Sequence, residues 1–324
     1  MGAQLNDEFQ PGDTEVDGVP VPFPDFAHYH DRVPPSVAQA LLPFPQYCNT
    51  IIGINENRGS SIYHAVQLKA EHRFSKGLWV LVSYTNSKLI TNADNAESVL
   101  NPTYFSPYEI KHNRSLALED VPQALNIAYS YELPFGRGKS YLNQGGAMNA
   151  VFGGWTVNGV YRVQSGIPFQ IGSSYCNVPS QFVAFCSPAL LPGANPFLQS
   201  PSHFDPSLPV LNIDAFEPAS SFNFYNGQGP RVQNFRQSGF SDFDIGLSKS
   251  VHITERFVFE FRGDAFNVFN QHHFNSVGAF IQSSGLGGSA FNTDVASPGV
   301  GGFGYWNGTV SPPRNLQVSG RISF

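Results

Sequence analysis

The chain has 324 residues, enough for one large domain or two ordinary ones, and a net charge of −6 with no basic stripe, which argues against nucleic acid as a partner. Charged residues make up 13%, about half the usual share, while 29 Phe help raise the aromatic share to 14%. With 31 Gly and 25 Pro the composition suits strands and loops, and no apolar run is long enough for a membrane-crossing helix.

The opening segment, residues 1–18, lacks a basic stretch followed by an apolar one, so it does not read as a secretory signal. Residues 1–60 read as irregular, because Pro20, Pro22, Pro24, Pro34, Pro35, Pro43 and Pro45 interrupt any regular element. Ser36–Leu42 allows two helical turns at most. Alternation then begins. In Ile62–Phe74, Ile62, Val66, Leu68 and Phe74 share one face, while Gln67, Lys69, Glu71 and Arg73 share the other. Ser75-Lys76-Gly77 fits a hairpin turn, with Gly supplying positive φ. Leu78–Ile90 returns as a less cleanly alternating strand, and 91–119 is a loop. Ala124–Leu133 and Trp155–Ile171 alternate again, joined by a modest turn over 134–150.

A loop of nearly seventy residues, 172–239, leads to the runs Phe240–Val251 and Arg256–Asn270. Phe243, Ile245 and Leu247 alternate with Asp242, Asp244, Gly246 and Ser248, and Phe257, Phe259 and Phe261 with Val258, Glu260 and Arg262. A second long loop, 271–314, precedes Asn315–Phe324, where Leu316, Val318, Gly320, Ile322 and Phe324 form the apolar set. Each run is greasy on one face and polar on the other, and about long enough to cross a bilayer at a tilt. Short and long connections take turns, as they do between the periplasmic turns and external loops of outer-membrane barrels.

The expected fold is therefore all-β: an antiparallel, up-and-down transmembrane β-barrel segment of about seven or eight strands. Seven strands are visible. If the last ends at the periplasmic side, the first descends from outside, which assigns 1–60 to an external loop and 61–324 to the barrel. Complete single-chain barrels have even strand counts, so a part of a larger barrel is expected. The alternative is a soluble secreted β-sandwich, a binding module possibly directed at carbohydrate, with the aromatics inside.

The polar faces supply the candidate site. A tight turn at His252–Glu255 would place Arg262 opposite Asp244 and Asp264 near Asp242. Together with Glu260 and Arg162 these residues form a charge ladder facing the lumen. Two carboxylates with an Arg between them pair with the cation and do not make an acid/base pair. Gly263 is expected on the lipid face beside Phe243, a glycine covered by a cross-strand aromatic. Lys249 is expected to snorkel to the headgroups.

Phe135-Gly136-Arg137-Gly138-Lys139-Ser140 has Leu133 where a phosphate loop needs Gly, and no helix pattern follows it. His28/His30 and His272/His273 have no third ligand spaced with them, so no metal is expected, and neither is a cofactor or a catalytic group. Cys176 and Cys186 would form a loop disulfide on an oxidising export route, the alternative being two free thiols; Cys48 stands apart.

Several phrases carry a family resemblance: LLPFPQY (41–47), SSIYHAVQLKAEHRFSKGLWVLVSYTNSK (60–88), YELPFGRGK (131–139), GGWTVNGVYRVQSGIPFQI (153–171), FEFRGDAFNVFNQHHF (259–274) and the strand ending in Phe324. The chain resembles the C-terminal barrel portion of TonB-dependent outer-membrane receptors of the Oar-like, acidobacterial type. The resemblance implies an energy-coupled receptor in the bacterial outer membrane, with roughly 22 strands and a plugged lumen. TonB would be met only through an N-terminal plug region that has no counterpart in this sequence. The other implied partners are outer-membrane lipid and the barrel-assembly machinery, which would read a terminal signal formed by Ile322 and Phe324.

Overall fold

A computed structural model describes residues 4–28, 34–47, 59–74, 77–93, 110–143, 145–173, 187–200, 204–217, 229–254, 256–274, 277–281, 302–309 and 311–324. Seven long strands form one sheet: β1 (Ser61–Arg73), β2 (Leu78–Thr91), β3 (Gln123–Glu132), β4 (Trp155–Gln164), β5 (Phe240–His252), β6 (Val258–Phe266) and β7 (Asn315–Ser323). Each is antiparallel to its neighbours in sequence, so the sheet is an unbroken meander. Among the described residues β1 and β7 are the two edges, and the two-residue strand Ser115–Leu116 adds to the end of β2.

The registers bring the alternations into phase. Across the sheet, Ala70, Val82, Ile127 and Tyr161 stand in one row, which continues through Phe243. Leu68, Tyr84, Leu125 and Val163 make the next row. On the far side Leu247, Gly263 and Val318 line up, as do Val251, Phe259 and Ile322. Register partners share a face, so seven separate period-two patterns sum to one continuous apolar surface. The opposite surface is mostly polar, although Leu81 and Val160 sit on it.

The apolar surface is left open. Val66, Leu68, Leu247, Phe261, Val318 and Ile322 are all at least 40% exposed. The buried hydrophobic residues lie elsewhere. Among the described residues none belongs to β1–β7; all come from the connections or the N-terminal segment. Phe169, Ile171, Val210, Leu211, Phe216, Val277 and Trp306 form one cluster, drawn from the two longest connections. This inverts the arrangement of a soluble domain, where strand faces make the core. Among the described residues the sandwich alternative has no second layer: the other two sheets are single pairs of two-residue strands.

Several boundaries differ from the sequence expectation. β4 ends at Gln164 rather than Ile171, because the chain leaves the sheet at Gly166. A Cβ there would stand 1.9 Å from the Gln237 carbonyl oxygen, so only glycine lets the two segments approach this closely. Phe169 and Ile171 then turn into the loop core. β6 ends at Phe266, and Asn267 follows with φ 49°, in the left-handed region.

The β5–β6 register is displaced by four residues from expectation. Val258 and His252 are the last pair before the turn, and the Phe257 carbonyl accepts from the Ile253 and Thr254 amides. Arg262 therefore faces Ser248, not Asp244, and Asp264 faces Gly246, not Asp242. Gly263 faces Leu247 rather than Phe243 and has nothing within 4 Å of its Cβ position. The aromatic cover falls on other glycines: the Tyr129 ring lies over Gly159, and Phe259 approaches Gly320.

The N-terminal segment is less irregular than its prolines suggest. Phe9, Phe26 and Val37 are buried together, with the Phe26 ring edge-on to Phe9 and Phe23. One helical turn, α1 (Val37–Ala40), starts where Ser36 Oγ accepts from the Gln39 amide. A second short helix, α2 (Ala147–Phe152), stands in the β3–β4 connection, which was expected to be a plain turn.

Candidate functional site

The polar face carries the predicted charges on three adjacent strands. Arg162 on β4 is the register partner of Asp242 on β5, and its Nη2 lies 2.6 Å from Asp242 Oδ2 and 3.5 Å from Asp244 Oδ2. Asp244 uses its other oxygen, Oδ1, to accept from the Asn267 amide at 3.0 Å, holding the chain where it leaves β6. On β6 the Arg262 Nε donates to both oxygens of Asp264, at 3.0 and 2.8 Å. Glu260 faces Arg321 of β7 in register.

Gly246 makes room between these groups. A Cβ at that position would stand 2.5 Å from Asp264 Oδ1 and 2.9 Å from Asn158 Nδ2. The six predicted residues thus lie on one surface, with Arg162 serving two carboxylates and Arg262 a third. They arrange as ion pairs along the sheet, a ladder able to present charge to a passing polar solute or to a protein surface.

At the end of the sheet served by the long connections, a collar of loops is tied by buried charge. Asp120, 1% exposed, accepts from the Leu89 amide through Oδ1 and from Arg236 Nη2 through Oδ2, both at 2.6 Å. Arg236 Nη1 also donates to the carbonyls of Asp120 and Gly166. Arg231 is fully buried; its Nε donates to the Asn113 carbonyl at 2.8 Å and its Nη2 to Thr91. These contacts join the connection after β2 to the one after β4. Inside the collar Phe169, Phe197, Phe204 and Trp306 line a cavity of about 80 Å³ together with Gln199 and Arg236. The Trp306 Nε1 donor is buried and has no partner among the described residues.

Sequence reasoning missed Asp120, Arg231, Arg236 and Trp306. The paired groups are separated by more than a hundred positions, and no local pattern marks them.

Lys249 lies on the apolar face near the short-turn end, with its ammonium turned toward the β3–β4 connection. Its Nζ donates to the carbonyls of Val151 and Gly153, at 3.0 and 2.8 Å, and sits 4.7 Å from the Trp155 ring centre. Phe324 and Ile322 end the apolar face, exposed 95% and 60%, with the Phe324 ring 6.2 Å from Phe257. His273 is buried between strand and loop, and its ring nitrogens meet the carbonyls of Gly239 and Ser241. Among the described residues no three His, Cys, Asp or Glu are grouped to hold a metal ion. Cys176, Cys186, Cys48 and His30 lie outside the described residues.

No curated protein matches the sequence. Among solved structures, FpvA of P. aeruginosa, in a complex with a heterologous pyoverdine and iron, is similar over 81% of this chain at 12% identity, with a TM-score of 0.35. The chain spans about a fifth of that protein, 19% of its length. A family model described as the outer membrane beta barrel domain matches residues 5–317, nearly the whole sequence. The chain belongs to the outer membrane beta barrel domain family, and its seven-stranded meander is barrel wall.

Proposed function

We propose that this chain forms the C-terminal part of the wall of an Oar-like TonB-dependent receptor, acting in energy-coupled uptake or export together with a plug and N-terminal strands. One observation carries the reading: seven amphipathic strands pair so that their apolar faces merge and stay exposed, while the buried apolar side chains are confined to the connections. Such a surface fits acyl chains, and the opposite one fits a water-filled or plugged lumen. The family-specific phrases of the sequence supply the receptor assignment.

On this reading Arg162, Asp242, Asp244, Glu260, Arg262 and Asp264 line the lumen, where a plug or a polar substrate meets them. The collar and residues 1–60 face outside, and the β1 and β7 edges pair with further strands of the same barrel. Ile322 and Phe324 are the signal for the assembly machinery, and TonB is reached through the plug. The protein acts as a conduit and does no chemistry.

Cell fractionation tests the assignment. The chain is expected in outer membranes, released only by detergent, and deletion of Phe324 is expected to lower its assembled yield. Recovery as a soluble periplasmic protein would overturn the reading.

A further inference from the structure

The β3–β4 connection carries a feature that a plain periplasmic turn does not need. Helix α2 is one and a half turns long and has no charged residue, nor does the whole stretch 140–154. Met148, Val151 and Phe152 on it are 40%, 57% and 44% exposed. A free helix this short does not hold in water, so tertiary contacts must fix it. One contact comes from the connection itself, where Asn149 Oδ1 accepts from the Arg137 amide at 2.7 Å, and the others come from the apolar surface of the sheet. Trp155 Nε1 donates to the Val151 carbonyl at 2.9 Å, and Lys249 Nζ caps the carbonyls of Val151 and Gly153. Trp155 and Lys249 are register partners on the face that carries Val157 and Leu247. The helix therefore sits on the outward side of the wall, at its short-turn end.

We propose that α2 is a membrane foot: a short interfacial anchor that lays Met148, Val151 and Phe152 into the periplasmic leaflet beside the barrel. This rests on the reading of the sheet's apolar face as lipid-facing. Phospholipid is the occupant because the patch is continuous with that face. It is also bordered by a Trp and a Lys, the residue types that settle at the boundary between acyl chains and headgroups. Lys249 is internally satisfied by the helix, so its charge can sit at this depth without reaching for water. The foot would fix how deep the wall sits and would keep the β3–β4 turn from swinging into the periplasm.

The test places a photoreactive diazirine amino acid, one position at a time, at Val151, at Leu247 on the apolar face and at Ser248 on the polar face. Phe152 serves as a second helix position if the Val151 substitution does not assemble. Cells making the full chain are irradiated, and the adducts on the outer-membrane protein are read by mass spectrometry. Phospholipid adducts are expected at 151 and 247 and not at 248. Water addition at 151 with phospholipid at 247 would overturn the foot and leave the barrel reading intact. A protein adduct at 151 would overturn it too, marking a docking site for a periplasmic protein. Loss of the lipid adduct at 247 would overturn both.

Discussion

Arg162 and Asp242 are register partners across β4 and β5, and a single guanidinium nitrogen of Arg162 bridges Asp242 and Asp244 two positions apart on one face. Without it the two carboxylates would share a face with no cation between them. Arg162→Gln is therefore expected to destabilise the folded wall by about 1 kcal/mol, the scale for a partly solvated pair. The double substitution Arg162→Gln with Asp242→Asn should recover most of the loss, because the repulsion disappears with the charge. Denaturant unfolding from lipid vesicles measures both. A double variant as unstable as the sum of the singles would show that the pair does not interact.

Asp120 and Arg236 should behave differently, since Asp120 is 1% exposed and each of its carboxylate oxygens accepts a hydrogen bond from the protein. Asp120→Ala strands Arg236 beside the Gly166 carbonyl and removes the acceptor of the Leu89 amide. Arg236 keeps some contact with solvent, so breaking this pair is expected to cost about 3 kcal/mol, the lower end for a buried one. Because the pair joins two loops and the one strand amide involved lies near the end of β2, the loss should appear as local opening of the collar. Limited proteolysis is expected to nick the long connections while β1–β7 stay protected. Unchanged protection of the loops would refute the tie.

The contrast between these two pairs shows what the sequence could reveal. Period-two amphipathy is a local signal, so all seven strands and the face of every charge on β4, β5 and β6 were legible. Register was not, because Phe257 alternates like a strand residue while its carbonyl closes the turn. A four-residue shift preserves faces and changes partners, so the ladder was found on the correct side with the wrong contacts. The collar left no local trace, since Arg231 reaches Asn113 and Arg236 reaches Asp120 only after the chain has folded back. The N-terminal core was hidden for another reason: prolines break periodicity without preventing Phe9 and Phe26 from meeting.

Gly166 and Gly246 give a paired prediction about close approach. At Gly166 the obstacle to a Cβ is backbone, the Gln237 carbonyl, whereas at Gly246 it is the side chains of Asp264 and Asn158. Gly166→Ala must move the collar off the end of β4, with a cost of about 3 kcal/mol, the upper end for overpacking. Gly246→Ala only has to displace a carboxylate, so about 1 kcal/mol is expected. Equal effects, measured by the same unfolding transition, would contradict the observed geometry.

Val82 and Thr85 test the inversion of inside and outside most directly. Both lie in the middle of β2; Val82 is in register with Ala70 and Ile127 on the apolar surface, and Thr85 with Gln67 and Ala124 on the polar one. In a membrane wall Val82→Arg places a cation in hydrocarbon, which costs about 2–4 kcal/mol near the midplane. Thr85→Arg enters an aqueous or plugged interior and should stay within about 0.5 kcal/mol. Leu211→Ala in the collar removes a truly buried side chain, 2% exposed, and should cost about 2–5 kcal/mol, as in any packed core. Detergent or lipid content should alter the first value and leave the third unchanged, because only the first depends on the solvent outside the wall. If Val82→Arg were tolerated as well as Thr85→Arg in a bilayer, the apolar surface would not be facing acyl chains.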